Sequence, residues 1–162
     1  RDAGSVITVG SQNVFIGNNS DASSNSLSNA IAIGTLAIVS ASNTIQLGNS
    51  SITNVITSGT FKSNGIISNI VTKTSAYTIL TSDEIITADA TSALFTITLP
   101  TAVGVTGQTY TIKRINSGSN AVTVGTTSSQ TIDGITTYAL SAQYKYVKVA
   151  SDGANWIIIG NN

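Results

Sequence analysis

The chain has 162 residues, enough for one domain or two and for a buried core. Only 9% of them are charged, against about 25% in an average soluble domain, and seven cations balance seven anions. Charge so sparse and scattered builds no electrostatic funnel for nucleic acid or an anionic membrane, and the absence of His and Cys removes Ser-His-Asp and Cys-His nucleophiles, imidazole and thiolate metal sites, and disulfides.

Ser, Thr and Asn fill 62 positions, so solubility rests on hydroxyls and amides. Ile, Val and Thr together fill 58, which favours extended strands over helices and predicts an all-β chain. A hydrophobic fraction of 41% argues against disorder. No run of 18 apolar residues offers a membrane span, and the first residues have neither the charged start nor the apolar stretch of a signal peptide. Without an initiator Met the sequence reads as a piece excised from a longer protein.

Residues 1–59 repeat a short phrase: Asn13-Val14-Phe15-Ile16-Gly17, Asn29-Ala30-Ile31-Ala32-Ile33-Gly34 and Asn43-Thr44-Ile45-Gln46-Leu47-Gly48. Alternation puts Ile31 with Ile33, and Ile45 with Leu47, on one face of a short strand, and Gly follows where the chain turns. A strand this short cannot bury its apolar face alone, so coils must stack and chains must pack side by side. These phrases resemble the head repeats of trimeric autotransporter (YadA-like) adhesins. The resemblance covers about a third of the chain and implies a parallel β-roll whose three copies share one core, with Ile31, Ile33, Ile45 and Leu47 at the trimer interface. The wider spacing between Gly17 and Gly34 predicts an insertion, over about 18–28, that loops out of the roll.

Residues 60–72 carry Phe61, Ile66, Ile67, Ile70 and Val71 among Ser, Asn and Gly. Gly65 and the Asn residues disfavour a helix, so this neck is expected to bridge stalk and tip as intertwined extended strands. From residue 73 to 162 longer alternating stretches predict strands at 76–81, 84–89, 94–99, 108–115, 121–125, 136–140, 143–150 and 155–160. Turn residues separate nearly all of them, among them Asn116-Ser117-Gly118, Asp133-Gly134 and Asp152-Gly153. Eight short strands predict an antiparallel β-sandwich, jelly-roll-like, with Tyr77, Ile79, Phe95, Ile97, Leu99, Tyr110, Ile112, Val122, Val124, Val147 and Val149 inward. Trp156-Ile157-Ile158-Ile159 is apolar on both faces, which assigns Ile157 and Ile159 to a contact with sister chains.

Tyr77-Thr78-Ile79, Leu99-Pro100 and Ser151-Asp152-Gly153-Ala154-Asn155-Trp156 resemble the C-terminal receptor-binding tip of phage tail fibres and related bacterial fibres. That resemblance spans nearly all of 73–160, but its motifs are turns and core positions, which specify a fold more than a ligand.

The carboxylates Asp83, Glu84, Asp89, Asp133 and Asp152 are the formal candidates for a glycosidase pair. Asp83 and Glu84 are adjacent and point to opposite faces of a strand, while Asp133 and Asp152 each precede Gly and read as turns. No enzymatic activity, metal or cofactor is expected. For binding, outward aromatics are the candidates, because sugar rings stack on them. With Val147 and Val149 inward, Tyr144, Tyr146 and Lys148 fall on the opposite face, with Tyr138 nearby. The expected protein is a homotrimeric extracellular or virion fibre whose tip meets a cell-surface ligand, a glycan among the candidates. The alternative is a structural spacer or trimerisation segment with no ligand of its own.

Overall fold

The computed structural model describes residues 2–162, and every regular element in it is a β-strand. Two compact units divide the chain, one closing at Ser63 and the other running from Asn64 to Asn162.

The first unit contains β1 (Val14–Ile16), β2 (Asp21–Ala22), β3 (Ala30–Ile33), β4 (Ile38–Val39) and β5 (Thr44–Leu47). β1, β3 and β5 form one parallel sheet, and β2 and β4 a second parallel pair. The chain therefore changes sheet after every strand and returns to each sheet pointing the same way. Gln12, two residues before β1, and Asn29 and Asn43, immediately before β3 and β5, are left-handed at φ 61°, 52° and 57°. Asn tolerates that conformation because its short polar side chain hydrogen-bonds locally. Asn29 Nδ2 donates to Asn43 Oδ1 at 3.0 Å, one 14-residue coil away. At the strand exits, a Cβ on Gly17 would stand 2.6 Å from the Gly34 carbonyl carbon, so only glycine lets the coils stack this closely.

Val14 pairs with Ile31, so Asn13 is in register with Ala30, and Gln12 takes the place of the repeat asparagine. Asn13 instead bridges coils, donating to Leu27 O at 2.7 Å and accepting from Ala30 N at 2.9 Å. The expectation that 18–28 loops out of the roll is corrected: Ser20, Asp21 and Ala22 are buried, β2 pairs with β4, and within the exposed stretch 23–26 Ser23 N donates to Val39 O at 2.9 Å and Asn25 O accepts from Gly10 N at 3.1 Å. Asp21 fixes this coil, accepting from the Ser5 hydroxyl at 2.7 Å and from Ala22 N at 2.8 Å.

The second unit contains β6 (Ile70–Lys73), β7 (Tyr77–Thr78), β8 (Ile85–Ala88), β9 (Phe95–Thr98), β10 (Thr109–Arg114), β11 (Val122–Gly125), β12 (Thr137–Leu140), β13 (Tyr146–Ser151) and β14 (Trp156–Asn161). One sheet has the order β14-β13-β10-β8-β6 and the other β12-β11-β9-β7. All eight predicted strands are present, and β6 adds a ninth from the end of the segment read as the neck. The sheets are mixed, not antiparallel as predicted. β6, β8 and β10 run parallel, as do β7, β9 and β11, because the chain crosses to the other sheet after each strand from β6 to β10. Only β11–β12 and β13–β14 are hairpins between sequential strands of one sheet.

Side chains from both sheets enter one buried cluster that includes Ile86, Ile97, Tyr110, Ile112, Val124 and Trp156. Every residue predicted to face inward is buried except Tyr77, which is half-buried against that cluster. Trp156 is fully buried, its Nε1 donating to Pro100 O at 3.2 Å and its ring tilted against Tyr110 with centroids 5.4 Å apart. The turn before it is closed by Asp152 Oδ1, which accepts from Ala154 N at 2.8 Å and Asn155 N at 2.7 Å. Asn155 Oδ1 in turn accepts from Thr131 N at 2.9 Å. The Ser151 to Trp156 motif is thus consumed in holding the fold.

Candidate functional site

In the first unit the usual placement of large and small side chains is reversed. The apolar residues that are buried are Ala22, Ala30, Ala32, Ala37 and Val39, with Ile7, Phe15 and Leu27 packed partly against them. The large aliphatic residues of the β1-β3-β5 sheet point the other way. Register aligns Val14, Ile31 and Ile45 in one row and Ile16, Ile33 and Leu47 in the next. Ile45 is 61% and Ile16 56% exposed, and Ile31 alone of the six is half-buried. The strand parity that places alanine inside leaves no other direction for these side chains. Farther along, Ile52, Val55, Ile56, Phe61, Ile66 and Ile67 are exposed in a stretch, 51–69, without strand or helix.

The outer face of the five-stranded sheet in the second unit forms a further candidate surface. One row across it reads Ile70, Ile85, Thr111 and Lys148, and the next reads Thr72, Thr87, Lys113 and Tyr146. The Thr72 and Thr87 hydroxyls are 2.8 Å apart. Ile157 stands beside Ala150, at the end of β13 remote from Tyr146. Trp156 is buried and Ile158 half-buried, whereas Ile157 and Ile159 are 41% and 49% exposed. A bulge between Lys148 and Val149 adjusts the register along β14.

The predicted binding residues fall in three places. Tyr146 and Lys148 share the outer face of β13, opposite the buried Val147 and Val149. Tyr144 precedes the strand, in a turn with φ +63°, and is 57% exposed. Tyr138 lies on β12 in the other sheet, half-buried against the core, and its hydroxyl accepts from Asn161 Nδ2 at 2.9 Å. Lys113, which sequence reasoning did not single out, belongs with the first group. It is the cross-strand partner of Tyr146, and its Nζ lies 5.5 Å from the centre of the Tyr144 ring. That pairing follows from the register of β10 and β13, which no local pattern encodes.

The carboxylates are separately engaged. Buried Asp83 accepts from the Tyr77 hydroxyl and from Leu80 N, each at 2.8 Å. Burial, reinforced by this hydrogen bond and the charge of Asp83, pushes the Tyr77 hydroxyl above its ordinary range. Burial and the Asp83 charge do the same to Tyr110. Glu84 accepts from Asn69 N at 2.9 Å, Asp89 from Thr91 N at 2.9 Å, and Asp133 from Ile158 N at 3.1 Å. The Asp89 carboxyl is held low by the Thr91 hydroxyl and backbone, and that of Asp152 by the Asn155 and Ala154 backbone. Among the described residues no three of Asp and Glu gather as metal ligands, and no concave pocket forms.

No family model, curated protein or solved structure matches the chain. The likeness to adhesin head repeats and to fibre tips therefore rests on the sequence phrases alone. What the molecule offers for function is its surface: an apolar face on the first unit, and on the second a sheet face with lysine and tyrosine at one end and isoleucine at the other.

Proposed function

We propose that the chain is a segment of a homotrimeric extracellular fibre, its first unit a β-roll stalk and its second a β-sandwich tip that attaches to a ligand on a target cell. The observation that carries this reading is the reversed packing of the first unit, with four alanines and Val39 inside and Val14, Ile16, Ile33, Ile45 and Leu47 exposed. A buried methyl group contributes roughly 0.8 kcal/mol, whereas ordering one residue's backbone costs about 1–2 kcal/mol. Four alanines and a valine are a poor return for a unit of this length. The two exposed rows are where the missing burial is available, and the occupant that fits is another copy of the same rows. They carry no charge, recur with the coil, and are flat and aliphatic, as self-association about an axis requires.

The exposed apolar residues between 52 and 67 extend the same argument, since sister segments wound together would cover them. On the tip, Ile157 and Ile159 serve sister contact, leaving Tyr144, Tyr146 and Lys148 for the ligand, while Tyr138 stands apart in the other sheet. Three such sites on one support gain avidity, so individually weak binding suffices for attachment. Two features support a binding rather than a catalytic role: Asp83, Glu84, Asp89, Asp133 and Asp152 are each tied to a different backbone amide, and no concave pocket forms among the described residues.

Light scattering on the purified chain tests the assembly. The expected mass is three times the 16.5 kDa of the chain. A folded monomer at micromolar concentration overturns the proposal.

A further inference from the structure

We infer that the turn bearing Tyr144, together with Lys113, Tyr146 and Lys148, binds an acidic polysaccharide whose sugar rings carry carboxylates; this rests on the adhesive reading above and names its ligand class. Two independent observations lead to it.

The first is backbone conformation. Tyr144 has φ +63°, a region that bulky side chains rarely adopt, and among the described non-glycine residues with positive φ it is the only aromatic. The turn is held from several sides. Tyr144 N donates to Arg114 O and Arg114 N to Lys145 O, each at 2.9 Å, while Gln143 Nε2 donates to Ile115 O at 3.1 Å. Such strain persists only where surrounding structure enforces it, and it concentrates at functional positions. Packing does not account for the ring, which is 57% exposed. Glycine or asparagine would serve the backbone better.

The second is charge. Every charged residue carried by a strand of the second unit is a cation: Lys73 on β6, Lys113 and Arg114 on β10, and Lys148 on β13. Arg114 is buried and donates to Asn116 Oδ1, Leu140 O and Gly118 O, and Lys73, in the same row, lies with its Nζ 3.6 Å over the Tyr77 ring, which leaves Lys113 and Lys148 on the outer face. The acids sit in connections, where Asp83, Asp89 and Asp152 accept from amides of their own turns, Glu84 from Asn69 N and Asp133 from Ile158 N. Lys113 Nζ, 5.5 Å from the Tyr144 ring centre, is near the outer limit of about 6 Å for a cation–π contact, so the ring neutralises little of its charge.

An exposed aromatic ring with an amine one sugar-width away matches a pyranose that stacks by its apolar face and offers a carboxylate at its edge. A neutral glycan would leave the lysines unanswered. A phosphate polymer without rings would leave the tyrosines so. Lysine, a mobile point charge, suits a carboxylate on a flexible chain.

Calorimetric titration of the full chain with polygalacturonate, dextran and polyphosphate, at low and at physiological salt, tests the assignment. Polygalacturonate is expected to bind, more weakly as salt rises, with no binding of dextran and less of polyphosphate. Tyr144→Gly is expected to melt at the same temperature as the parent or higher, because glycine favours this conformation, yet to bind about tenfold more weakly. Lys148→Gln, at an exposed position, is expected to weaken binding similarly without altering the melt. Absence of polygalacturonate binding, equal binding of dextran or polyphosphate, or parental affinity in Tyr144→Gly overturns the inference, as does a lowered melt in that variant, which would make the ring structural. A trimer that attaches to cells while ignoring polygalacturonate sinks this inference alone; a folded monomer sinks the proposed function instead.

Discussion

Trp156, Asp21 and Asp133 show three ways in which one side chain holds an irregular stretch of this chain. Trp156 fills the core and ties the Leu99-Pro100 strand end through its indole N–H. Trp156→Ala is expected to cost about 3–5 kcal/mol by chemical denaturation, from lost transfer energy and the cavity left behind. Asp21 is buried in the first unit. Burial opposes its charge, but the Ser5 hydroxyl and the amides of Ala22 and Val6 outweigh it and hold the carboxyl below its ordinary value. Because the folded value lies below that of the unfolded chain, about 3.9, its contribution is complete above that pH. It is lost as pH falls through the folded value. Acid titration followed by hydrogen exchange should therefore show the coil around β2 and β4 opening first, and Asp21→Asn should remove that step. Backbone bonds from 131–133 to Trp156 cover the start of the outer edge of β14, and the Asp133 carboxylate extends that cover by accepting from Ile158 N. An unpaired strand edge is a template for association. Asp133→Ala is accordingly expected to raise aggregation on prolonged incubation, read by light scattering, while leaving the core fluorescence of Trp156 unchanged.

At the scale of elements, what the sequence discloses is alternation, and what it conceals is direction. Eight of the nine strands of the second unit were legible because Val147 and Val149, or Ile97 and Leu99, alternate with polar residues at period two. Ser, Asp and Gly between them announce a turn but not its destination. The same residues close a hairpin between β13 and β14 and carry the chain to the other sheet between β8 and β9. Hence the antiparallel expectation failed where crossing made the strands parallel. β2 and β4, two residues each, are too short to show a period. The conformation of Tyr144 and the pairing of Lys113 with Tyr146 depend on tertiary register, so this part of the site was only half visible. Parity does distinguish the two faces of β3 and β5, and mutation should separate them. Ala32→Leu places a larger group at a fully buried position and is expected to cost about 1–3 kcal/mol. Ile45→Ser, on the exposed row, is expected to leave the packing of its own coil intact but to shift the assembly toward smaller species in light scattering.

At the scale of the whole molecule, both units use an exchange of sheets after each strand, the first throughout and the second from β6 to β10, yet they are filled differently. The second unit buries Trp156, Tyr110, Ile112 and Leu99 in its own interior, and the first buries little beyond alanine. A unit with a complete core has a stability that belongs to the single chain. A unit whose large apolar residues face outward owes its stability to whatever covers them, and if that is a sister copy, mass action makes it depend on concentration. Hydrogen exchange over a dilution series should therefore part the two. The amides of Ala32 and Val39 should lose protection as the chain is diluted, while those of Ile112 and Val149 should keep it. In thermal scans the first transition should rise with concentration and the second stay fixed. A single transition whose midpoint ignores concentration would mean that the alanine-lined unit stands by itself, and that its exposed isoleucines need no partner.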